Sequence, residues 1–373
     1  MPPVSAARLA RNPLITPQDV RPSRPDWEVV SAFNPGVARL GDEVLLLLRV
    51  AERPREQAGL PAEVVMLDLG APAAGATGEL IAVPLLDLVS PTPRLVVRYL
   101  DRSLPGLDLS DPRVIKYGSQ VYLTALSHLR LARSRDGIHF TVENQPALLP
   151  SGPLEEFGVE DPRITLIGQD YWINYTAVSR HGIATALAST RDFHSYQRHG
   201  VIFCSENRDV TIFPEKIDGL YWALHRPVPA GIGVPEMWLA SSPDLVRWGD
   251  HRVALSPRPG AWDSHRMGGG AVPLRTRRGW LEIYHGVDAA GRYCLGAVLL
   301  DLQRPWQVLG RSARPLLAPE AEFEQQGFFG NVVFTCGALL IEDGQTVRVY
   351  YGAADSVTAA ADLSLEEILA SLV

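Results

Sequence analysis

The feature that most constrains this chain is a repeat of two short strands joined by a tight turn and followed by a third strand, recurring about every 50 residues. Copies begin at 37–50, 114–125, 164–177, 210–225 and 271–285, with turns at Gly41-Asp42, Gly118, Gly168, Asp218-Gly219 and Arg278-Gly279. Third strands are read at 129–140, 183–196, 237–248 and 293–308. A unit of this size cannot bury its apolar face alone, so it must stack on copies of itself. Turn-rich strands at this spacing fit propeller blades better than sandwich strands, which predicts an all-β, five-bladed β-propeller forming one domain over 1–373. A further pair, 332–340 and 347–351, lacks a third strand and is expected to pair with N-terminal strands, closing the ring and removing free edges.

Two segments break the period. Residues 70–107 are rich in Ala, Gly and Pro around a strand-like 95–100, and read as an inter-blade insertion that rims the site. Residues 364–372 place apolar side chains at helical spacing, with Ser364 as cap and Glu366 and Glu367 in the first turn. With 46% hydrophobic residues the chain can bury a sizeable core, and a net charge of −7 without a Lys/Arg run argues against nucleic acid or membrane surfaces as partners. Cys204, Cys294 and Cys336 are odd in number and widely spaced, as expected of buried small side chains rather than disulfides or a zinc site. No apolar run of signal-peptide length occurs in 1–20, so a cytoplasmic protein is the simplest expectation.

Chemistry concentrates at Gly158-Val159-Glu160-Asp161-Pro162-Arg163, where adjacent carboxylates precede a proline-fixed turn at a strand entrance. An earlier copy, Asp108-Leu109-Ser110-Asp111-Pro112-Arg113, reads as a turn whose aspartate satisfies backbone donors. Asn34, Arg49, Asn207-Arg208-Asp209, His225-Arg226, Ser264-His265-Arg266, Tyr284-His285 and Asp355 fall at equivalent strand ends. Guanidinium groups gathered there need an anion, and phosphate offers bidentate acceptors on several faces. The bland alternative is that these arginines pair internally with Glu160, Asp209 and Asp355.

Asn34-Pro35-Gly36, Arg49-Val50-Ala51-Glu52, 158–163, Phe213-Pro214-Glu215-Lys216-Ile217, Leu224-His225-Arg226-Pro227, 279–286, 299–302 and 350–355 together resemble the β-mannoside phosphorylases of glycoside hydrolase family 130. The resemblance implies cleavage of a β-mannosidic bond by inorganic phosphate with inversion, releasing α-mannose 1-phosphate, without metal or cofactor. It implies Asp161 as general acid, passing its proton through the mannosyl 3-hydroxyl. Asn34, Arg49 and Asp355 would hold the mannosyl unit, with Arg55, Glu160 and Asp209 grouped beside them, and Arg208, Arg226, Arg266 and His285 would hold phosphate. Anionic phosphate needs no base, so the second carboxylate of an inverting hydrolase is dispensable. Asp161 is expected to hold its proton near neutrality, helped by Glu160.

The chain departs from the family pattern at Arg266, where many relatives carry lysine, and at Phe328-Phe329-Gly330-Asn331 in place of Val-Pro-Asn. Competing readings are a β-mannosidase on the same fold, a phosphorylase of β-1,4-mannosyl-glucose or β-1,4-mannosyl-N-acetylglucosamine, and a non-enzymatic scaffold. The sequence leans towards β-1,2-linked manno-oligosaccharides as substrate and leaves homo-oligomerisation open.

Overall fold

The computed structural model describes residues 4–55, 67, 79–88 and 94–373, and these are almost entirely β-structure. Five antiparallel meanders organise them. The first runs Trp27–Leu40, Glu43–Pro54, Leu126–Ser134, Thr141–Leu148, and the second Gly158–Ile167, Asp170–Ser179, Gly182–Thr190, Gln197–Phe203. The third runs Asn207–Ile212, Tyr221–Pro227, Met237–Ser242, Gly249–Leu255. In the fourth, the short strands Arg266–Gly268 and Leu274–Arg275 both pair with Trp280–Val287, which leads to Tyr293–Leu300 and Val308–Arg311. The fifth runs Val333–Leu340, Thr346–Ala353, Val357–Ser364, with Ala7–Arg8 from the N-terminal region as its outermost strand.

The sequence run Val44-Leu45-Leu46-Leu47-Leu48 shows how these units stack. Leu45 and Leu47 are buried with Leu131, Ile173 and Ala186 towards the second meander, whereas Leu46 and Leu48 are buried with Tyr350 and Ala360 of the fifth. Side chains alternate across a strand, so a continuous leucine run means apolar partners on both faces. The same kind of seam recurs along the chain. Leu187 packs with Ile212 and Ala223, Phe213 and Leu239 with Trp280 and Val298, and Leu281 and Leu295 with Val349 and Ala361. Each fully buried leucine in such a seam contributes on the order of 2 kcal/mol.

Three expectations are corrected. The strand read at 129–140 belongs to the first meander, because Leu126–Ser134 pairs with Glu43–Pro54 from Val44↔Ser134 to Glu52↔Leu126. The pair at 114–125 is therefore no repeat unit. Its strands Val114–Tyr117 and Gln120–Leu123 join Leu107–Asp108 in a small separate sheet, and Lys116, Gln120 and Val121 are exposed where a repeat unit would need apolar cover. Finally, the pair at 332–340 and 347–351 has its own third strand, Val357–Ser364, whose Ala359, Ala360 and Ala361 are fully buried. Alanine is depleted in strands generally, which hid this one, but here small side chains let the sheet pack closely. The N-terminal region does close that sheet, at Ala7↔Asp362 and Arg8↔Ala361.

Of the insertion at 70–107, residues 70–78 and 89–93 lie outside the described residues; Leu80–Asp87 and Arg94–Asp101 form a hairpin. The C-terminal helix runs Leu365–Ala370, with the Ser364 hydroxyl accepting from the Glu367 N–H. Among the described residues no helix is long and apolar enough to cross a membrane.

The run Gly268-Gly269-Gly270 passes through a crowded part of the molecule. A Cβ on Gly270 would collide with the Ile283 carbonyl and come within 2.9 Å of Thr335, whereas a Cβ on Gly231 would meet nothing. Gly270→Ala should therefore lower unfolding free energy by about 1–3 kcal/mol through overpacking. Gly231→Ala should stay within about 0.5 kcal/mol of the parent in the same denaturant titration. Equal stability of the two variants would contradict this packing.

Candidate active site

The inner strands of the first three meanders break register at matching places, between Phe33 and Gly36, Glu160 and Arg163, and Arg208 and Thr211. The bulged residues are Asn34, Asp161 and Asp209, with φ of 46°, 49° and 56°. An L-residue held there costs about 1–2 kcal/mol, least for Asn and Asp, and such strain gathers at functional sites. Proline follows Asn34 and Asp161 because a bulge lacks the ladder bond that proline cannot make. Asp355, at φ 50°, lies in the turn that follows the second strand of the fifth meander, in the same backbone region. Four strained polar side chains thus come from four meanders.

They form two groups. In the first, Asn34 Nδ2 donates to Asp161 Oδ1 at 2.9 Å and Arg49 Nη1 donates to the same oxygen at 3.3 Å. Arg49 also donates from Nη2 to Glu160 Oε1 at 2.6 Å and from Nε to Ser127 Oγ at 3.1 Å, with its guanidinium over the Phe33 ring. A small cleft opens beside Arg49, lined also by Phe33, Ser127, Phe328 and Asp355. Burial raises the Glu160 carboxyl above its ordinary range, with Arg49 opposing and Asp161 adding to the rise. Burial likewise lifts Asp355 to about 6 against the pull of Arg49 and Arg113. A carboxyl near 6 exchanges its proton close to neutral pH, which suits acid–base chemistry.

The second group surrounds Asp209. Arg226 Nε and Nη2 both donate to Asp209 Oδ2, at 2.8 and 2.6 Å; Arg163 Nη2 reaches Oδ1 at 3.4 Å and His285 Nε2 lies 3.5 Å from Oδ2. Burial works against the Asp209 charge, but the Arg226 and Arg163 guanidiniums outweigh it and hold the carboxyl well below its usual range. Burial and the neighbouring guanidiniums push His285 down to about 3, despite Asp209, so the imidazole is neutral. Arg208 and Arg226 stand directly opposite in the ladder, a repulsive pairing that Asp209 relieves. Internal pairing thus describes Arg226, whose fork is aimed at Asp209 rather than left free for an anion. It does not exhaust the cluster. Arg208 Nε, Arg266 Nε and His285 Nδ1 are buried donors or acceptors without a partner among the described residues, which is costly unless something binds. Arg208 has a long contact of 3.6 Å to Glu206, and Arg266 lies over the Tyr293 ring.

Arg55 is not brought to either group; it is exposed, and its Nε donates to the Trp27 carbonyl. Asp111 is the turn residue anticipated for it, accepting from the Arg113 backbone N–H at 2.9 Å. Sequence reasoning missed two arginines that stood inside quoted motifs. Arg113, from the small separate sheet, lines the cleft 3.8 Å from Asp355. Arg163, 1% exposed, donates to the carbonyls of Asp161, Gly269 and Gly270 at 3.1, 2.9 and 3.1 Å as well as to Asp209. Both were signalled by the arginine of Asp-Pro-Arg, but their partners are remote in sequence. Among the described residues no cluster of His, Cys, Asp or Glu has the makings of a metal site.

Arg163→Met should remove the donor shared by both groups and leave Asp209 short of a cation. A loss of about 3–5 kcal/mol in unfolding free energy is expected, the size seen when one partner of a buried ion pair is removed. Arg163→Lys should recover only part of it, since an ammonium cannot fork to four acceptors. Full stability of Arg163→Met in a denaturant titration would contradict the assignment.

Comparison with known proteins places this geometry. A family model for glycoside hydrolase family 130, described as β-1,4-mannooligosaccharide phosphorylase, matches residues 106–372. The chain is 46% identical over 369 residues to a β-1,2-mannobiose phosphorylase of Listeria innocua, covering 98% of each. It is 40% identical over 256 residues to a 1,2-β-oligomannan phosphorylase of a Thermoanaerobacter species, covering 68% of this chain and 82% of that one. The solved structure of the Listeria innocua β-1,2-mannobiose phosphorylase in complex with β-1,2-mannobiose superposes with a TM-score of 0.89, at 45% identity and 99% coverage of both chains.

Proposed function

The chain belongs to glycoside hydrolase family 130, and from that membership we propose that it is an inverting phosphorylase of β-1,2-linked manno-oligosaccharides. Its products are α-mannose 1-phosphate and an acceptor shortened by one mannosyl unit. The observation that carries the reading is the two-group site. One group holds carboxylates and arginine around a cleft, and the other holds buried guanidinium N–H groups without partners.

In this reading Asn34, Arg49, Glu160 and Asp355 bind the mannosyl unit, and Asp161 is the general acid. Phosphate occupies Arg208, Arg266 and His285, and Arg226, whose Nε and Nη2 are taken by Asp209, has Nη1 left to contribute. A phosphate oxygen attacks the anomeric carbon from the face opposite the leaving group. As that bond forms, the glycosidic C–O bond breaks, and the leaving oxygen takes a proton that Asp161 supplies through the mannosyl 3-hydroxyl. Holding phosphate in line turns a bimolecular encounter into a positioned one. No metal or cofactor enters the scheme. Arg55 has no part in it. The five meanders, each seamed to the next and the fifth seamed to the first, support a closed five-bladed propeller forming one domain, with the site where the bulged strands converge. A cytoplasmic location is consistent with free phosphate as co-substrate.

A hydrolase would need a carboxylate free to activate water opposite the acid. Asp209, the carboxylate on that side, is engaged by Arg226, Arg163 and His285 and is held far from a base's useful range.

Incubating the protein with β-1,2-mannobiose should give mannose 1-phosphate in phosphate buffer and negligible free mannose without phosphate. Asp161→Asn should slow phosphorolysis by about 10²–10⁴-fold, the usual worth of a general acid. Asp111→Asn should keep far more activity than that. Equal mannose release with and without phosphate, or near-native turnover by Asp161→Asn, would refute the reading.

A further inference from the structure

The small sheet of Leu107–Asp108, Val114–Tyr117 and Gln120–Leu123 stands outside the repeat, yet Arg113, Leu123, Thr124 and Ala125 form one wall of the sugar cleft. Arg113 is held there from several sides. Thr124 N donates to the Arg113 carbonyl at 3.1 Å and the Thr124 hydroxyl to the Pro112 carbonyl at 2.8 Å, tying the backbone to the wall. Asp111 accepts from Arg113 Nε at 3.0 Å and from Nη2 at 2.9 Å. The guanidinium carbon lies 3.9 Å from the Phe329 ring centroid, a close cation–π stack. With Nε and Nη2 committed, Nη1 is the nitrogen nearest Asp355, 3.8 Å from its Oδ2.

Asp355 depends on that cation. Arg49, the other guanidinium acting on it, already donates to Glu160 and Asp161, so the cleft sets Arg49 and Arg113 against Glu160, Asp161 and Asp355. Taking away Arg113 would leave Arg49 as the guanidinium acting on Asp355.

We propose that Arg113 is a positioning residue for mannoside binding: held flat by Asp111 and Phe329, it supplies the cation that fixes Asp355 for the sugar. This rests on Asp355 belonging to the sugar side of the proposed site. It also gives the inserted sheet a function, since it carries a charge into the cleft from outside the repeat. The groups bearing on this pair are Asp111 with Lys116 behind it, the Tyr293 hydroxyl, Arg49, Glu160 and Asp161. Asp355, lifted to about 6 by burial, loses its charge as pH falls through that value, and sugar affinity falls with it. A nearby cation favours the carboxylate, so removing Arg113 must move this limb to higher pH.

The test is calorimetric binding of β-1,2-mannobiose to the full chain in phosphate-free buffer, across the pH range in which Asp355 titrates, with Arg113→Met and Arg113→Lys beside the parent. Arg113→Met should weaken binding about 10- to 100-fold, the worth of a charge-assisted contact, and should shift the acid limb upward. Arg113→Lys should keep the limb near its parental position, because the charge remains. Melting temperatures should change little, since the Arg113 side chain is 38% exposed. Parental affinity and an unmoved limb in Arg113→Met would overturn the proposal, as would a lower melting temperature with binding unchanged. Should the parent consume the disaccharide without phosphate, the phosphorolysis reading fails instead. D-mannose then serves as the probe for the same comparison.

Discussion

Both halves of the site hang on the buried guanidinium of Arg163. It reaches the carbonyls of Asp161, Gly269 and Gly270 and the carboxylate of Asp209, and so ties the second meander to the third and fourth; the Phe334 ring of the fifth packs over it. A charge with 1% exposure is tolerable only when its donors are met and an opposite charge is near. Arg163 meets both conditions with main-chain oxygens, which cannot rotate away. The glycine run follows from it, because Gly269 and Gly270 must bring their carbonyls against the guanidinium while Gly268 leaves room for Asp209 and His285.

The charges separate around that centre. Beside the cleft, Glu160 and Asp355 are lifted by burial, so a proton can be held there near neutrality. On the other side Asp209 is driven strongly the opposite way by the Arg226 and Arg163 guanidiniums, and stays ionised as a fixed structural anion. Two environments a few residues from the same guanidinium thus give acids of opposite character, which is how one protein surface can run proton donation beside anion binding. The strained bulges matter for the same reason. Left-handed Asn34, Asp161 and Asp209 interrupt their ladders and turn side chains towards the centre, where a regular strand would send them into the apolar seams.

Much of this was legible from the residues alone. The paired-strand repeat pointed to the all-β class and Ser364 to the helix start, whereas Asn34 and Asp161 were read as strand ends and sit in bulges within strands. What stayed hidden was non-local. The strand at 126–134 pairs back across the insertion, so linear order assigned it to the wrong neighbour. The alanine strand at 357–364 is set by close packing between sheets, which outweighs intrinsic preference. Asp-Pro-Arg occurs twice with opposite emphasis. At 161–163 both aspartate and arginine face the site, whereas at 111–113 the aspartate serves the turn and only the arginine reaches the cleft. Nothing within either hexapeptide distinguishes them; the sheet that carries each one does. The capture of Arg226 by Asp209 depends on the ladder that sets Arg208 opposite it.

In the proposed reaction the cationic group binds phosphate independently of the acid. Calorimetric titration of inorganic phosphate into Arg208→Met, Arg266→Met and Asp161→Asn tests it most directly, because no turnover is involved. Each lost guanidinium should weaken phosphate binding by about tenfold or more, the scale of a charge-assisted hydrogen bond, and Asp161→Asn should bind like the parent. Phosphate affinity untouched by both arginine substitutions would contradict it.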